Sequence, residues 1–242
     1  MIRVTVATPS NQQKLASLGG IQKEIYEGLK NSRFLFHYYT DGELLFELFL
    51  RENIIKASIK LKDSGAAFTS FKYSAFNPQY WMRTEFGYLL KPFAQPADAV
   101  NDIFTNGKKY GFECTTAIVV IYYKAVLDSI RRDAFNFLFG RLLVWNWNYD
   151  PDLAIITQRG DEFIPGDVVY FANPDYRLPI WIGENAVYVG KGLYFGHGIG
   201  VGSAEQMIES LNTRRKEGAT RSAYMLKQHS RLNVKYLYQF SR

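Results

Sequence analysis

Phe112-Glu113-Cys114-Thr115-Thr116-Ala117-Ile118-Val119-Val120-Ile121-Tyr122-Tyr123-Lys124 is the stretch on which the reading of the fold turns. By propensity alone, this run of Thr, Ile, Val and Tyr is a buried strand. The charges beyond it favour a helix. Lys124, Asp128, Arg131 and Arg132 fall at i, i+4, i+7 and i+8, an arc of about 100° on a helical wheel, and neither Gly nor Pro interrupts Cys114 to Arg132. The segment is therefore predicted to be a deeply buried helix with one wet stripe. Cys114 then sits at its N-terminal end, where unpaired N–H groups and the positive end of the dipole favour an anionic sulfur.

Outward from this helix, the chain divides by texture. Upstream, Asp41, Leu44, Leu45, Leu48, Ile55, Ile59 and Lys62 outline a helix over residues 41–63 that stops before Gly65. Pro96 and Asn106-Gly107 bracket a second helix over 96–105, so the first hundred residues read as largely helical. From Leu142 onward, LLVWNW, LAIIT, DVVYF, AVYVG and LYFGH alternate with Gly, Pro, Asn and Asp and read as antiparallel strands. With no internal repeat and no Pro/Ser-rich linker, the two halves are expected to share one core. The predicted class is α+β over residues 1–242, with a mainly helical part at 1–107 and a second part at 108–242 that joins the buried helix to the strands.

Composition excludes several classes. The 242 residues are 47% hydrophobic and 21% charged, enough apolar surface for a core and unlike disordered or collagenous chains. The longest apolar-like run, Thr115 to Tyr123, falls far short of the roughly 20 residues that span a bilayer. The first residues, MIRVTVATPSNQQKL, carry no secretory h-region, so synthesis in a cytoplasm is expected. A single cysteine permits neither an internal disulfide nor a cysteine zinc cluster. The net charge of +6 lies in the last 32 residues, where eight Lys/Arg oppose one acid. No nucleic-acid recognition motif accompanies that charge. Part of it fits a helix end instead: Ser203 and Gln206 suit a capping box, and Arg214, Arg215 and Lys216 a last turn before Gly218.

A lone cysteine amid apolar residues is either packing or chemistry. Chemistry needs a base and an orienting group. Glu184 to Val189 and Leu193 to His197 flank Gly190-Lys191-Gly192, a hairpin signal. A two- or four-residue loop sets Glu184 directly opposite His197, and a three-residue loop slips the register by one. Acid, imidazole and a thiol at a helix start are the layout of a cysteine acyltransferase or hydrolase.

Gly111 to Tyr123, Pro165-Gly-Asp-Val-Val-Tyr-Phe-Ala-Asn-Pro174, Trp181-Ile-Gly-Glu-Asn185, Tyr194-Phe-Gly-His-Gly-Ile-Gly200 and Leu211-Asn-Thr-Arg-Arg-Lys-Glu-Gly-Ala219 closely resemble the spore-coat protein-glutamine γ-glutamyltransferases of endospore-forming bacteria, in motif order across nearly the whole chain. The resemblance implies a papain-like core shared with bacterial cell-wall cysteine peptidases, working without calcium or another cofactor on spore coat proteins at the spore surface. It puts the nucleophile at Cys114 and the principal base at Glu184, with Glu113 as a partial substitute and His197 nearby. Ordinary papain-like enzymes run cysteine, histidine, polar orienter; here Glu184 comes second and His197 third, which leaves the histidine to transfer a proton or only to position.

A carboxylate near pKa 4.3 is a poor base for a thiol near 8.5 unless burial raises the one and the helix terminus lowers the other. Two acids beside the sulfur also oppose a standing thiolate, so proton transfer concerted with attack is expected. Cys114 would attack a glutamine γ-carboxamide, ammonia would leave, and a lysine amine would resolve the thioester. Excluding water separates transfer from hydrolysis. Among 18 Phe, 17 Tyr and 4 Trp, Phe68, Phe71, Trp147 and Trp181 are candidates to line a narrow access tunnel. The competing readings are a cysteine amidase that hydrolyses the same thioester and a non-catalytic coat protein whose Cys114 packs. Nucleotide and metal chemistry lack motifs: Gly196 to Gly202 fits no phosphate loop, and His37, His197 and His229 show no ligand spacing.

Overall fold

The computed structural model describes residues 1–241. The chain opens on β1 (Ile2–Val6), α1 (Pro9–Ala16), α2 (Gly20–Asn31) and β2 (Phe36–Thr40), with β1 and β2 paired in parallel through Ile2 opposite Phe36. The long helix α3 (Asp41–Ser64) follows; the Thr40 side chain accepts from the Glu43 N–H at its start, and Gly65 stops it at φ 84°. After β3 (Ala67–Phe68) comes a hairpin of β4 (Trp81–Thr84) and β5 (Gly87–Leu90), then α4 (Pro96–Thr105) with its proline in the first turn. Both upstream helices lie where the hydrophobic periodicity puts them. The first hundred residues are nevertheless not purely helical, because four strands of four or five residues form two small sheets there. Each such strand is shorter than a helical window, and β1 finds its partner about thirty residues away, beyond the reach of local pattern.

β6 (Gly111–Phe112) pairs with β3 and leads directly into α5 (Cys114–Ser129). Every residue of α5 but Asp128 is buried, between α3 on one side and the large sheet on the other. The strand-prone side chains are held helical from the first turn: the Glu113 carboxylate accepts the Thr115 and Thr116 N–H groups, supplying an N-cap. The expected wet stripe is corrected. Ile130 leaves the helix at φ −107° and ψ 173°, and Arg131 becomes the N-cap of α6 (Arg132–Leu138), so only Lys124 and Asp128 share a face of α5. Lys124 itself is buried and ion-paired with Asp128.

The downstream half supplies β7 (Leu143–Val144), which joins β5, and then β8 (Ile155–Arg159), β9 (Val168–Ala172), β10 (Gly183–Gly190), β11 (Leu193–Gly196), β12 (Gly200–Ser203), α7 (Ala204–Asn212), β13 (Tyr224–Leu232) and α8 (Val234–Tyr238). The large sheet runs β12-β11-β10-β9-β13-β8, antiparallel throughout. One face, carrying Val168, Val187 and Leu232, packs into the main core with α3, α4 and α5. The other, carrying Val169, Phe171 and Ala186, is covered by Met207 and Leu211 of α7. The capping box at Ser203 and Gln206 forms as expected. However, α7 ends at Asn212, so Arg214, Arg215 and Lys216 lie beyond its last turn. The basic tail is dispersed through the fold: Arg221 pairs with Asp175, and Arg231 with the buried Asp167. Among the described residues no helix is long and apolar enough to cross a membrane.

Candidate active site

Helix α5 delivers its first residue, Cys114, to the start of β10. The thiol is 7% exposed. Asn185, the third residue of β10, donates its side-chain N–H to the Cys114 sulfur at 3.7 Å and to the Thr115 hydroxyl at 3.1 Å. The Gly183 carbonyl lies 3.9 Å from the sulfur, within reach of the S–H. Burial pushes the thiol pKa up, and the negative charges of Glu184 and Glu113 push it further. The Asn185 donors pull the other way and do not win. The helix terminus therefore does not produce a standing thiolate, in line with the expectation that two neighbouring acids oppose one.

Glu184 is fully buried. Its Oε1 accepts the Gly198 N–H at 3.0 Å, while Oε2 has no hydrogen-bond partner among the described residues. Burial raises this carboxyl to about 8, and the Glu113 charge adds to the rise against the pull of the Gly198 N–H and of Arg214. The backbone around it must come very close. A Cβ at Gly196 would lie 2.7 Å from Glu184 Cγ, and one at Gly198 2.9 Å from Oε2 and equally near the Phe68 ring. Only glycine fits either place. Glu113 is held differently, because both its oxygens accept from the first turn of α5, Oε1 taking the Thr116 N–H at 2.9 Å and its hydroxyl as well.

His197 does not face Glu184. The expected hairpin forms, and its turn at Lys191-Gly192 has two residues, both at positive φ. A bulge between Tyr188 and Gly190 then slips the register, so that Ala186 faces Gly196 and Val187 faces Phe195. Tyr188 is at that point bonded outside the hairpin, to Gly166 and Asp167. Gly198, not His197, is thereby brought to the carboxylate. The imidazole Nε2 lies 3.2 Å from the Ala67 carbonyl, and the ring packs on Phe112 and Phe68 at 5.0 and 5.9 Å. Burial lowers its pKa to about 4, so the ring is neutral at physiological pH.

Cys114 opens into a cleft of about 340 Å³ walled by Phe71, Trp145, Tyr170, Ile180 and Ile182. A second cleft of about 620 Å³ holds Trp147, Tyr149 and Gln228, and the two adjoin at Thr115, Tyr170 and Asn185. Of the four aromatic residues proposed from sequence, Phe71 thus lines the cysteine cleft and Trp147 the neighbouring one. Phe68 and Trp181 line neither; they stack on each other at 4.9 Å, with Trp181 set between the wall residues Ile180 and Ile182. Sequence reasoning missed Asn185, Thr115 and Tyr170, although Asn185 directly follows Glu184 and Thr115 directly follows Cys114. Tyr170 senses the centre too: burial first, then the charges of Cys114 and Glu184, push its hydroxyl up to about 12.

Comparison with known proteins gives one consistent result. Residues 1–241 match the model of the family described as protein-glutamine gamma-glutamyltransferase. The chain is 42% identical over 236 residues to the Bacillus pumilus protein of that name, covering 96% of each. It is 41% identical over 228 residues to the Halalkalibacterium halodurans protein, covering 93% of this chain and 80% of that one. Among solved structures, a transglutaminase from Geobacillus stearothermophilus, without its C-terminal extension, is similar at a TM-score of 0.80 and 50% identity, over 83% of this chain and 98% of that one.

Proposed function

The chain belongs to the protein-glutamine gamma-glutamyltransferase family, and we propose that Cys114 is the nucleophile and Glu184 the principal base of that transfer. The enzyme joins the γ-carboxamide carbon of a protein glutamine to a lysine amine, releasing ammonia. In this reading the Cys114 sulfur attacks the carboxamide as its proton passes to ionised Glu184. That proton leaves with the departing nitrogen as ammonia, and a thioester remains. The lysine amine then attacks the thioester carbon, gives its surplus proton to Glu184, and the proton returns to the departing sulfur.

The observation that carries this reading is the Glu184 carboxyl itself: fully buried, close enough for its charge to act on the Cys114 thiol, with a pKa near 8 and one oxygen without a partner among the described residues. A base poised near neutrality is what a protonated thiol requires. The Asn185 amide steadies the sulfur. The adjoining clefts suit a two-substrate cycle, the glutamine approaching along the cleft of Cys114 and the amine along its neighbour, with aromatic walls limiting water. Glu113, already bound to the helix N-terminus, serves as a partial substitute, and His197 positions. The substrates we assign are spore coat proteins at the spore surface, on the strength of the motif resemblance and of relatives from Bacillus species. We also infer, from the motif resemblance alone, that no calcium is needed.

Incubating the purified protein with a glutamine donor and a fluorescent amine tests the transfer. Amine incorporation with ammonia release supports it, whereas free glutamate formed at an unchanged rate in the presence of amine would make the protein an amidase. Stoichiometric labelling of native Cys114 by iodoacetamide counts against a cysteine that only packs.

A further inference from the structure

Two arginines stacked on aromatic rings form no ion pair among the described residues: Arg83 on a ring that lines the Cys114 cleft, and Arg214 on Trp181, which does not line the cleft but stands in its wall segment between Ile180 and Ile182. The Arg83 guanidinium lies 4.7 Å above the Phe71 ring, which lines the cleft, and its Nη2 donates to the Phe71 carbonyl at 2.8 Å. The Arg214 guanidinium lies 4.1 Å above the Trp181 ring, set between the wall residues Ile180 and Ile182, and its Nη1 donates to the Ser210 carbonyl and hydroxyl and to Thr213. Neither forms an ion pair with any Asp or Glu among the described residues. A guanidinium stacked flat on a ring is held rigid while its in-plane N–H groups stay free to meet a carboxylate side-on. In Arg83 these are Nε and Nη1, and in Arg214 Nε and Nη2. The one carboxylate in the wall of the cleft is Glu113, and its oxygens are taken by the cap of α5. The exposed Lys72, over the Tyr73 ring next to Phe71, adds a further positive charge.

We infer that this pair selects the acyl donor: Arg83 and Arg214 bind Asp or Glu side chains flanking the reactive glutamine of the donor protein. The inference rests on Cys114 being the nucleophile, since it assigns the donor segment to the cleft into which Cys114 opens. The preference acts on productive binding, and salt weakens it because both sites border solvent.

Three peptides of one sequence test this, with the residues two positions either side of the glutamine set to Asp, Asn or Arg, and kcat/KM for amine incorporation read for each. The expected order is Asp, then Asn, then Arg, with Asp over Asn by about threefold to tenfold at low salt and the gap closing at high salt. In the double variant Arg83→Gln/Arg214→Gln that ratio should fall towards one. Arg83→Gln alone should lower it in part, and Arg83→Lys should keep more of it than Arg83→Gln. A ratio near one in the wild type, or an unchanged ratio in the double variant, overturns the inference. Incorporation by Cys114→Ala would instead overturn the nucleophile assignment, whatever the flanking charge.

Discussion

Asn185 donates one side-chain N–H to the Cys114 sulfur and reaches the Thr115 hydroxyl with the same amide, fixing the thiol between α5 and β10. No imidazole stands in that place. Removing the amide takes away a side-chain donor that favours the anionic form of a thiol whose buried surroundings oppose it. Asn185→Ala is therefore expected to slow iodoacetamide alkylation of Cys114 at neutral pH and to lower transferase turnover by about tenfold or more. Equal alkylation rates in the two proteins would mean that the amide does not act on the sulfur.

The pH dependence follows from Glu184. Its folded pKa of about 8 lies above the ordinary carboxylate value near 4.3, so between those limits the folded state holds a proton that the unfolded chain has released. Stability must then fall as pH rises from about 4.3 to about 8. Glu184→Gln should flatten that fall and be relatively more stable than the wild type at the alkaline end, as read from denaturant midpoints across the range. In the same window the ionised base becomes populated. Wild-type kcat/KM should rise with pH and level off above about 8. A flat profile would remove Glu184 from proton transfer.

On the proposed role of Cys114 as nucleophile, its side chain matters for chemistry more than for packing. The polar contacts of its sulfur, to Asn185, Gly183 and Thr115, are long, at 3.7 to 4.0 Å. Cys114→Ala should leave the far-UV spectrum unchanged and cost no more than about 1 kcal/mol of stability, while amine incorporation drops below a few per cent of wild type. Substantial residual activity would put the nucleophile elsewhere.

What could be read from the chain tracks how local each interaction is. The helices at 41–64 and 96–105 carry their own periodicity and stop signals, and the helix from Cys114 was betrayed by its first two charges, Lys124 and Asp128. Arg131 and Arg132 supported it for the wrong reason, since they belong to the next helix. The register of β10 with β11 was not legible. The turn residues leave the loop length open between two, three and four, and the bulge after Tyr188 accompanies bonds to Gly166 and Asp167 from outside the hairpin. Beyond the bulge the paired numbers sum to 382, the register a three-residue loop would give, and this sets Gly198 rather than His197 at the carboxylate. Likewise β13 lies between β9 and β8, a choice settled by tertiary pairing that neighbours in sequence cannot announce.

The two acids can be separated by what each already holds. Glu184 has one oxygen unpartnered among the described residues, whereas the Glu113 carboxylate accepts from two N–H groups and a hydroxyl of α5. Glu113→Gln should therefore cost about 1 kcal/mol of stability through the lost cap and lower turnover less than Glu184→Gln, for which a fall of roughly 10²-fold or more is expected. If Glu113 takes over part of the proton transfer when Glu184 cannot, the double variant must fall well below the product of the two single effects, because residues sharing one role are not additive. His197→Ala is the control. Its neutral ring is tied to Ala67 and packed on Phe68 and Phe112, so its loss should weaken activity only modestly, through Phe68 and the Gly198 backbone that hold Glu184. Amine incorporation by all four variants, at matched folded concentration, decides the scheme. Simple multiplication in the double variant would make the acids independent, and a His197→Ala protein as inactive as Cys114→Ala would make the histidine the base in place of Glu184.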